Sequence, residues 1–481
     1  MKQIRLFIIF SIANIFYCLG QQNFKIEPYE FKTKSGINVN AEKGSFKVPE
    51  NRLNDNSRDI TLSFVRFKST NPNPGAPIIY LAGGPGGSGI STARGERFEL
   101  FMALREIADV IALDQRGTGM SNQIPRCKTS AYLPLETPGN EEVYLTEFSE
   151  AAKNCMSFWT SKGVDIDGYN TVQNSDDIEA LRKVLKADKI SLWGISYGSH
   201  LGFNYIKRYE NNIDKVILAG IEGPDETVKL PNYSQEYLKR VDAKLKEDTN
   251  ASKYYPDLLQ LMSNVFDKLE KEPVYTEIKD RRSGKMKKLG IGKLDVQLVT
   301  SFFLTKNPKD VKNLPYLFYQ MNKGDYSEIS NRIAMLKQFA GRQQAMPLMM
   351  DAMSGVSKKR WGKIQKQTPK AILGRTTNFP FPDLGFKLNI RELGDDFRKL
   401  KRSSVKALFI TGTLDGRTYI ESAIKTVKKF KNSSHIIIDG AGHDSFMSTP
   451  KVKELMLSFL KEEKVPSQTI TLKPLKFRLP K

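Results

Sequence analysis

Histidine, cysteine and tryptophan are scarce in this chain, with three of each in 481 residues. Three scattered histidines and three cysteines give no ligand spacing for a metal ion, so no metal is expected. Long apolar runs are also rare. Residues 6–19 form the one candidate, and they are too few to cross a bilayer comfortably. Behind Lys2 and Arg5, and ahead of Gly20, this run reads as a signal peptide over residues 1–20, cut before Gln21. The reading makes the protein exported, periplasmic or secreted, with no integral membrane segment after removal of the leader. Bulky Phe16 and Tyr17 precede Cys18, so no lipid anchor is expected there. Acidic residues are in deficit: 53 Asp and Glu against 75 Lys and Arg give a net charge of +22. The excess is spread along the chain, and no block of it alternates with aromatics, so nucleic acid is not an expected partner. A dispersed positive surface fits solubility, loose attraction to anionic surfaces, or steering of acidic peptides.

With Cys18 in the leader, Cys127 and Cys155 remain. A pair in an exported protein favours a disulfide, here stapling the excursion after Asp114 to a helix-like stretch at 148–159. Two independent thiols are the alternative.

What is present is a set of glycine-bracketed turns, each behind an apolar run. Gly194-Ile195-Ser196-Tyr197-Gly198 follows the run 189–193 and opens a helical pattern at 199–209. In a strand–turn–helix corner this tight, a Cβ at either flank would clash, and the serine is forced to an exposed apex as a nucleophile. Its base must be one of three histidines. His443 lies in Gly440-Ala441-Gly442-His443, just past Ile436-Ile437-Ile438, in a loop that can carry it over a site. His200, four residues past Ser196, points back under the corner and reads as a packing residue. His435 lies in or before its strand and reads as structural. The orienting carboxylate is Asp415, at the end of the apolar run 407–410. Its alternative role is to cap a helix near Thr418. Asp439 and Asp444 are rivals that sit too close in sequence to reach the His443 ring easily. The order Ser196, Asp415, His443 is that of α/β-hydrolases. The loop Ala82-Gly83-Gly84-Pro85-Gly86-Gly87, after the run 77–81, can aim the N–H of Gly84 (or Gly83) at an oxyanion, with the N–H of Tyr197 as second donor. It lacks the lysine and Ser/Thr of a phosphate-binding loop, and no cofactor is expected.

Four segments together resemble the proline iminopeptidase and tripeptidyl aminopeptidase group of α/β-hydrolases. They are the Ala82–Gly87 loop, Asp114-Gln115-Arg116-Gly117-Thr118-Gly119-Met120-Ser121, the Ser196 corner and the His443 loop. The likeness covers roughly 60–223 and 405–460. Ala82 stands where proline iminopeptidases usually carry histidine, which is more similar to the secreted tripeptidyl aminopeptidases. Residues 223–405 match no pattern of the group.

The expected fold is a mostly parallel, doubly wound α/β-hydrolase sheet. Early antiparallel strands fall at 46–48 and 60–67. Further strands fall at 78–81, 110–113, 190–193, 216–218, 407–410 and 435–438, with helices between them. The domain reading is a first core part at 21–224, a mainly helical cap insertion at 225–393, and a second core part with a basic tail at 394–481. A polar hairpin is expected near 280–287. Met346, Met349, Met350 and Met353 read as cap core. The tail after Pro466 forms a short edge strand or none.

The activity implied by the resemblance is an exported serine aminopeptidase acting on peptides, releasing N-terminal residues or short peptides. Recognition of a free α-ammonium calls for buried carboxylates, and Glu222 and Asp225, at the core–cap junction, are the candidates; simple turn roles beside Gly223 and Pro224 are equally open. A carboxylesterase would use the same triad. A non-catalytic binding protein would have lost one of its members, and none is lost.

Overall fold

The structure, a computed structural model, describes residues 24–129, 133–279, 284–338 and 341–480. The leader expected at 1–20, with Cys18, lies outside the described residues, as does the tip of the expected polar hairpin.

Three antiparallel strands, β1 (Phe24–Lys32), β2 (Asn38–Pro49) and β3 (Asp59–Phe67), enter one side of a single large sheet. Next come β4 (Ile78–Leu81), β5 (Val110–Leu113), β6 (Ile190–Ile195) and β7 (Ile213–Ala219). A separate hairpin, β8 (Val274–Lys279) with β9 (Met286–Ile291), interrupts the series. The sheet resumes with β10 (Lys406–Gly412), β11 (Ser433–Asp439) and β12 (Gln468–Thr471). The spatial order is β1-β2-β3-β5-β4-β6-β7-β10-β11-β12. From β5 through β12 every neighbouring pair is parallel.

Every residue of β4, β5 and β6 is buried, because helices cover both faces; this is why these strands read as solid apolar runs rather than as alternations. Alternation decides which face each side chain meets. In β4, Ile79 and Leu81 join one cluster and Ile78 and Tyr80 the other. The first cluster lies under the helices Glu141–Ser161, Thr171–Val184 and Tyr197–Tyr209, and the second under Phe98–Leu104 and Pro450–Leu460. Two strands differ from the sequence expectation. β1 is a full edge strand, and β2 begins eight residues before the expected 46. Pro28 is tolerated in β1 because an edge strand has one unpaired side. The tail does form an edge strand, β12, paired with β11.

Between β7 and β10 the chain leaves the sheet for helices that include Pro231–Glu247, Leu258–Lys271, Lys293–Val299, Leu314–Asn322 and Ser327–Lys337. They enclose a third apolar cluster. This cluster also takes Leu133 and Tyr144 from before β6, and Phe477 from the tail. Tyr144 Oη donates to Asp295 Oδ1 at 2.6 Å, and the Gly139 N–H donates to Asp295 Oδ2 at 2.7 Å. At the tail, the Phe477 N–H donates to Asp248 at 3.0 Å, and Arg478 pairs with Glu328 at 2.7 Å. The methionines are a correction. Met346, Met349, Met350 and Met353, on the helix Ala345–Ser354, pack into the sheet's own cluster and not into the third one. Unbranched thioethers fill the irregular gap where that helix meets the glycine turns of the sheet.

Arg116, fully buried, binds Asp177 through Nε at 2.6 Å and Nη2 at 2.7 Å. Its Nη1 donates to the carbonyls of Glu50 and Gly168. One guanidinium thus fastens the end of β2, the turn at Gly168 and the middle of the helix Thr171–Val184 to the turn after β5. Cys127 and Cys155 form a disulfide, with Cys155 inside the helix Glu141–Ser161. Peptide mapping without reductant should recover the two half-cystine peptides linked. Reduction should then lower the unfolding free energy by about 3 kcal/mol, read from denaturant titrations; recovery of both cysteines alkylated without reductant would contradict the pairing.

Candidate active site

β6 ends at Ile195 and a helix starts at Tyr197, which leaves Ser196 alone in the corner. It is held at φ 59°, ψ −127°, a conformation that costs a non-glycine residue about 1–3 kcal/mol. The surroundings enforce it. The Ser196 N–H donates to the carbonyls of Ala219 and Gly220, both at 3.1 Å. Its carbonyl accepts from the Ser199 N–H at 2.7 Å and from Ser199 Oγ at 2.6 Å. A Cβ on Gly194 would stand 2.8 Å from the Gly198 carbonyl oxygen, and one on Gly198 would stand 2.1 Å from that of Leu81. Both glycines are therefore required by contact.

Asp415 and His443 come from the loops after β10 and β11. His443 Nδ1 lies 3.0 Å from Asp415 Oδ1 and 2.9 Å from Oδ2. Asp415 is buried, and burial alone would raise its pKa. The charge and hydrogen bond of His443 and the hydrogen bonds from Thr418 outweigh that and hold it below the ordinary carboxylate range. Thr418 Oγ1 reaches Oδ2 at 2.5 Å, while the N–H groups of Arg417 and Thr418 reach Oδ1 at 2.8 and 2.9 Å. Asp415 thus does both things read for it: it faces the imidazole and it caps the turn. The imidazole sits over the serine corner, since a Cβ on Gly220 would lie 3.3 Å from His443 Cε1. Ser196 and His443 line one cavity of about 1020 Å³. Among the described residues no hydrogen bond joins Ser196 Oγ to the ring, a separation that substrate binding commonly closes. The rival acids are engaged elsewhere: Asp439 with Lys244 at 2.9 Å and Asp444 with Arg97 at 2.8 Å.

The glycine loop lies against the serine. Gly83 and Gly84 both line the cavity. A Cβ on Gly83 would meet the Ile195 carbonyl oxygen at 2.7 Å and Ser196 Cβ at 3.0 Å, and Gly84 has φ +134°. The motif after β5 shapes this loop. Gln115 Nε2 donates to the Ala82 carbonyl at 2.9 Å. Asp114 Oδ1 accepts from Ser88 Oγ at 2.5 Å and from the Ile90 N–H at 3.1 Å, gripping the loop's far end. Tyr197 presents its backbone at the start of the helix, while its side chain is buried with Oη 3.0 Å from Thr171 Oγ1.

The other expected residues divide. Glu222 lines the cavity and pairs with Lys229 at 3.1 Å. Asp225 does not line it: its two oxygens accept from the Ser357 N–H at 3.0 Å and Ser357 Oγ at 2.7 Å, at the start of the helix Lys358–Gln367. His200 is buried between the Gly223 carbonyl at 3.2 Å and Ser354 Oγ at 3.3 Å, and burial lowers its pKa. His435 contacts Thr411 Oγ1 at 2.9 Å, and burial lowers its pKa to about 4. Sequence reading missed Asp351, the sole charged residue of the helix Ala345–Ser354, whose carboxyl lines the cavity. Burial, reinforced by the nearby charge of Glu222, raises its pKa to about 7, with Lys229 and Arg417 pulling the other way. It was also silent on the aromatic lining, Phe302, Phe303, Phe379 and Phe381. Among the described residues no group of three or more His, Cys, Asp or Glu side chains is placed to hold a metal ion, and no helix is long and apolar enough to cross a membrane.

A serine at a strained strand–helix corner, facing a histidine backed by a carboxylate, sits here on a mostly parallel sheet. The chain belongs to the alpha/beta hydrolase fold family, whose model matches residues 76–450. Among curated proteins it is similar to the serine protease Hip1 of Mycobacterium tuberculosis, 28% identical over 188 residues, which cover 38% of this chain and 36% of that protein. It is also similar to the tripeptidyl aminopeptidase of Streptomyces lividans, 25% identical over 190 residues, or 38% of this chain and 35% of that protein. The chain thus spans about a third of the length of these relatives. Among solved structures, a thermophilic esterase from Thermogutta terrifontis aligns with a TM-score of 0.38 and 14% identity, covering 86% of this chain and 98% of that one.

Gly83→Ala should push the glycine loop off the serine corner and lower kcat about 100-fold, as loss of one oxyanion donor does, with an unchanged far-UV spectrum. Gln115→Leu, which frees the Ala82 carbonyl, should cost less in the same assay. Wild-type rates in Gly83→Ala would show that the loop has no part in turnover.

Proposed function

We propose that this protein is an exported serine aminopeptidase that frees N-terminal residues or short peptides through an acyl-enzyme. The observation that carries the reading is Asp351. Its carboxyl lines the same cavity as Ser196 and His443, and among the described residues it has no hydrogen-bond partner. A carboxyl in that position is completed by a cationic ligand group, and the α-ammonium of a peptide is one. Glu222 stands near enough to raise its pKa, so the ammonium would meet two carboxylates partly offset by Lys229. Asp351 therefore takes the role expected of Asp225. The similarity to a serine protease and a tripeptidyl aminopeptidase supports a peptide substrate. The disulfide and the leader read at 1–20 support export.

In this mechanism His443 accepts the proton of Ser196 as Oγ attacks the scissile carbonyl. Asp415 fixes the imidazole tautomer and stabilises its positive charge. The N–H groups of Tyr197 and of Gly84 or Gly83 hold the oxyanion, each contributing about 3 kcal/mol. His443 returns the proton to the leaving amine, and water clears the ester. No cofactor enters. Residues 225–393 act as a cap that closes the far end of the cavity, so that a blocked or internal peptide position fits poorly.

Ser196→Ala should abolish turnover with the fold intact, and Asp415→Asn and His443→Ala should each lose several orders of magnitude without their losses adding. Full activity in Ser196→Ala would end the serine mechanism. Rates on aminoacyl and tripeptidyl anilides, free or N-blocked, and on short-chain esters separate the remaining readings. Free-amine anilides should be strongly preferred; equal cleavage of blocked substrates, or esters alone, makes the protein an endopeptidase or a carboxylesterase instead.

Asp351→Asn should raise KM for free-amine substrates about 10- to 100-fold and leave blocked ones unchanged. Asp351 is charged above about pH 7 and neutral below it. The wild-type free-amine preference should therefore weaken as pH falls through that value, and Asp351→Asn should flatten the profile. An unaltered profile in that variant would remove Asp351 from amine binding.

A further inference from the structure

Part of the charge that is dispersed in the sequence is gathered by the fold at one end of the sheet. The segment before β10 and the segment before β11 lie side by side. Ser403 pairs with Phe430 in an isolated bridge, the Ser403 N–H donates to the Lys429 carbonyl at 3.0 Å, and the Lys431 N–H donates to the Ser403 carbonyl at 3.1 Å. These bonds bring Lys399, Lys401 and Arg402 next to Lys428, Lys429 and Lys431. All six side chains are exposed. Among the described residues none of the six has a carboxylate within ion-pair distance. Three carboxylates close to these segments are engaged already. Glu210 accepts from Ser403 Oγ at 2.7 Å and the Ser404 N–H at 3.0 Å, Asp396 pairs with Lys207 at 3.1 Å, and Glu462 pairs with Lys215 and Lys406.

The position of this patch is fixed by topology. β10 and β11 are parallel, and Asp415 and His443 follow their C-terminal ends. The six cations precede their N-terminal ends. A seven-residue strand therefore separates cations from catalytic loops, about 20 Å at the usual rise. The patch lies at the opposite end of the sheet from the active-site cavity.

We propose that this end of the sheet is a docking face for an anionic phospholipid surface, which holds the enzyme with its cavity mouth turned away from the bilayer. Six unpaired cations on two adjoining segments meet a layer of lipid phosphates, and each adds to the attraction as basic residues at a charged surface do. A single nucleic-acid strand is the weaker match. Phe430, the aromatic of the two segments, is only 5% exposed, so no ring is offered for a base to stack on.

The test is co-sedimentation of the full chain with vesicles of phosphatidylcholine alone or mixed with phosphatidylglycerol. The phosphatidylcholine arm reports any contribution of the apolar residues 6–19. Binding to the mixed vesicles alone is expected, falling at least about tenfold as salt rises from about 0.05 M to about 0.5 M. Replacing all six residues by glutamine should weaken it at least about 100-fold while hydrolysis of a soluble substrate, which reports folding, is unchanged. A second variant carries glutamine at Lys358, Lys359, Lys363, Lys366, Lys370 and Lys387, exposed lysines elsewhere, and lowers the net charge equally. It should keep most of the binding. The proposal is overturned if the two variants lose binding equally, if the second loses more, if wild type ignores phosphatidylglycerol, or if a single-stranded oligonucleotide binds the six-residue face more tightly than the vesicles do.

Discussion

The close approach of three backbones at the end of the sheet is the constraint on which the rest depends. The carbonyl of Leu81 stands where a side chain on Gly198 would begin, so the end of β4 and the start of the helix Tyr197–Tyr209 touch without side chains between them. That contact sets the corner at Ser196 and its strained backbone. It also brings the glycine loop after β4 against the serine through Gly83, and the end of β7 beneath His443 through Gly220. Bringing these groups together is a matter of strand ends, which is why the surrounding network of Asp114, Gln115 and Arg116 is spent on holding backbone rather than on chemistry. Such strain persists because the neighbouring hydrogen bonds over-determine it.

Two carboxyls at the site show how environment sets protonation. Asp415 receives hydrogen bonds from the imidazole, a hydroxyl and two backbone N–H groups, and stays ionised. Asp351 has burial and the like charge of Glu222 to contend with, and its affinity for a proton rises. One is complete within the protein. The other has no hydrogen-bond partner among the described residues.

The parts legible in the sequence were those whose cause is local. Ser196, Asp415 and His443 each sit one turn beyond an apolar run, and a glycine-bracketed turn has few purposes. The parallel strands were legible because burial on both faces removes polar residues from them. Asp351 was not legible: it sits among methionines on a helix whose place against the glycine loop is a tertiary fact. Asp225 showed the reverse, a carboxylate at the expected junction that is consumed by Ser357. β1 escaped the reading, and Pro28 within it fits a strand only at an edge, which exists only once the sheet is assembled. The joining of the basic segments at Ser403 and Phe430 is likewise invisible to spacing.

The helices between β7 and β10 are moored at four points of the chain. Their two ends enter and leave the sheet. Asp295 is bonded to the segment before β6 through Gly139 and Tyr144, and Asp248 and Glu328 hold the tail at Phe477 and Arg478. A flap hinged on two strands can swing open, but helices with extra moorings on both flanks move away from the sheet only by breaking buried bonds. Any such movement would be felt at once before β6, through Asp295, and at the far end of the chain, through Asp248.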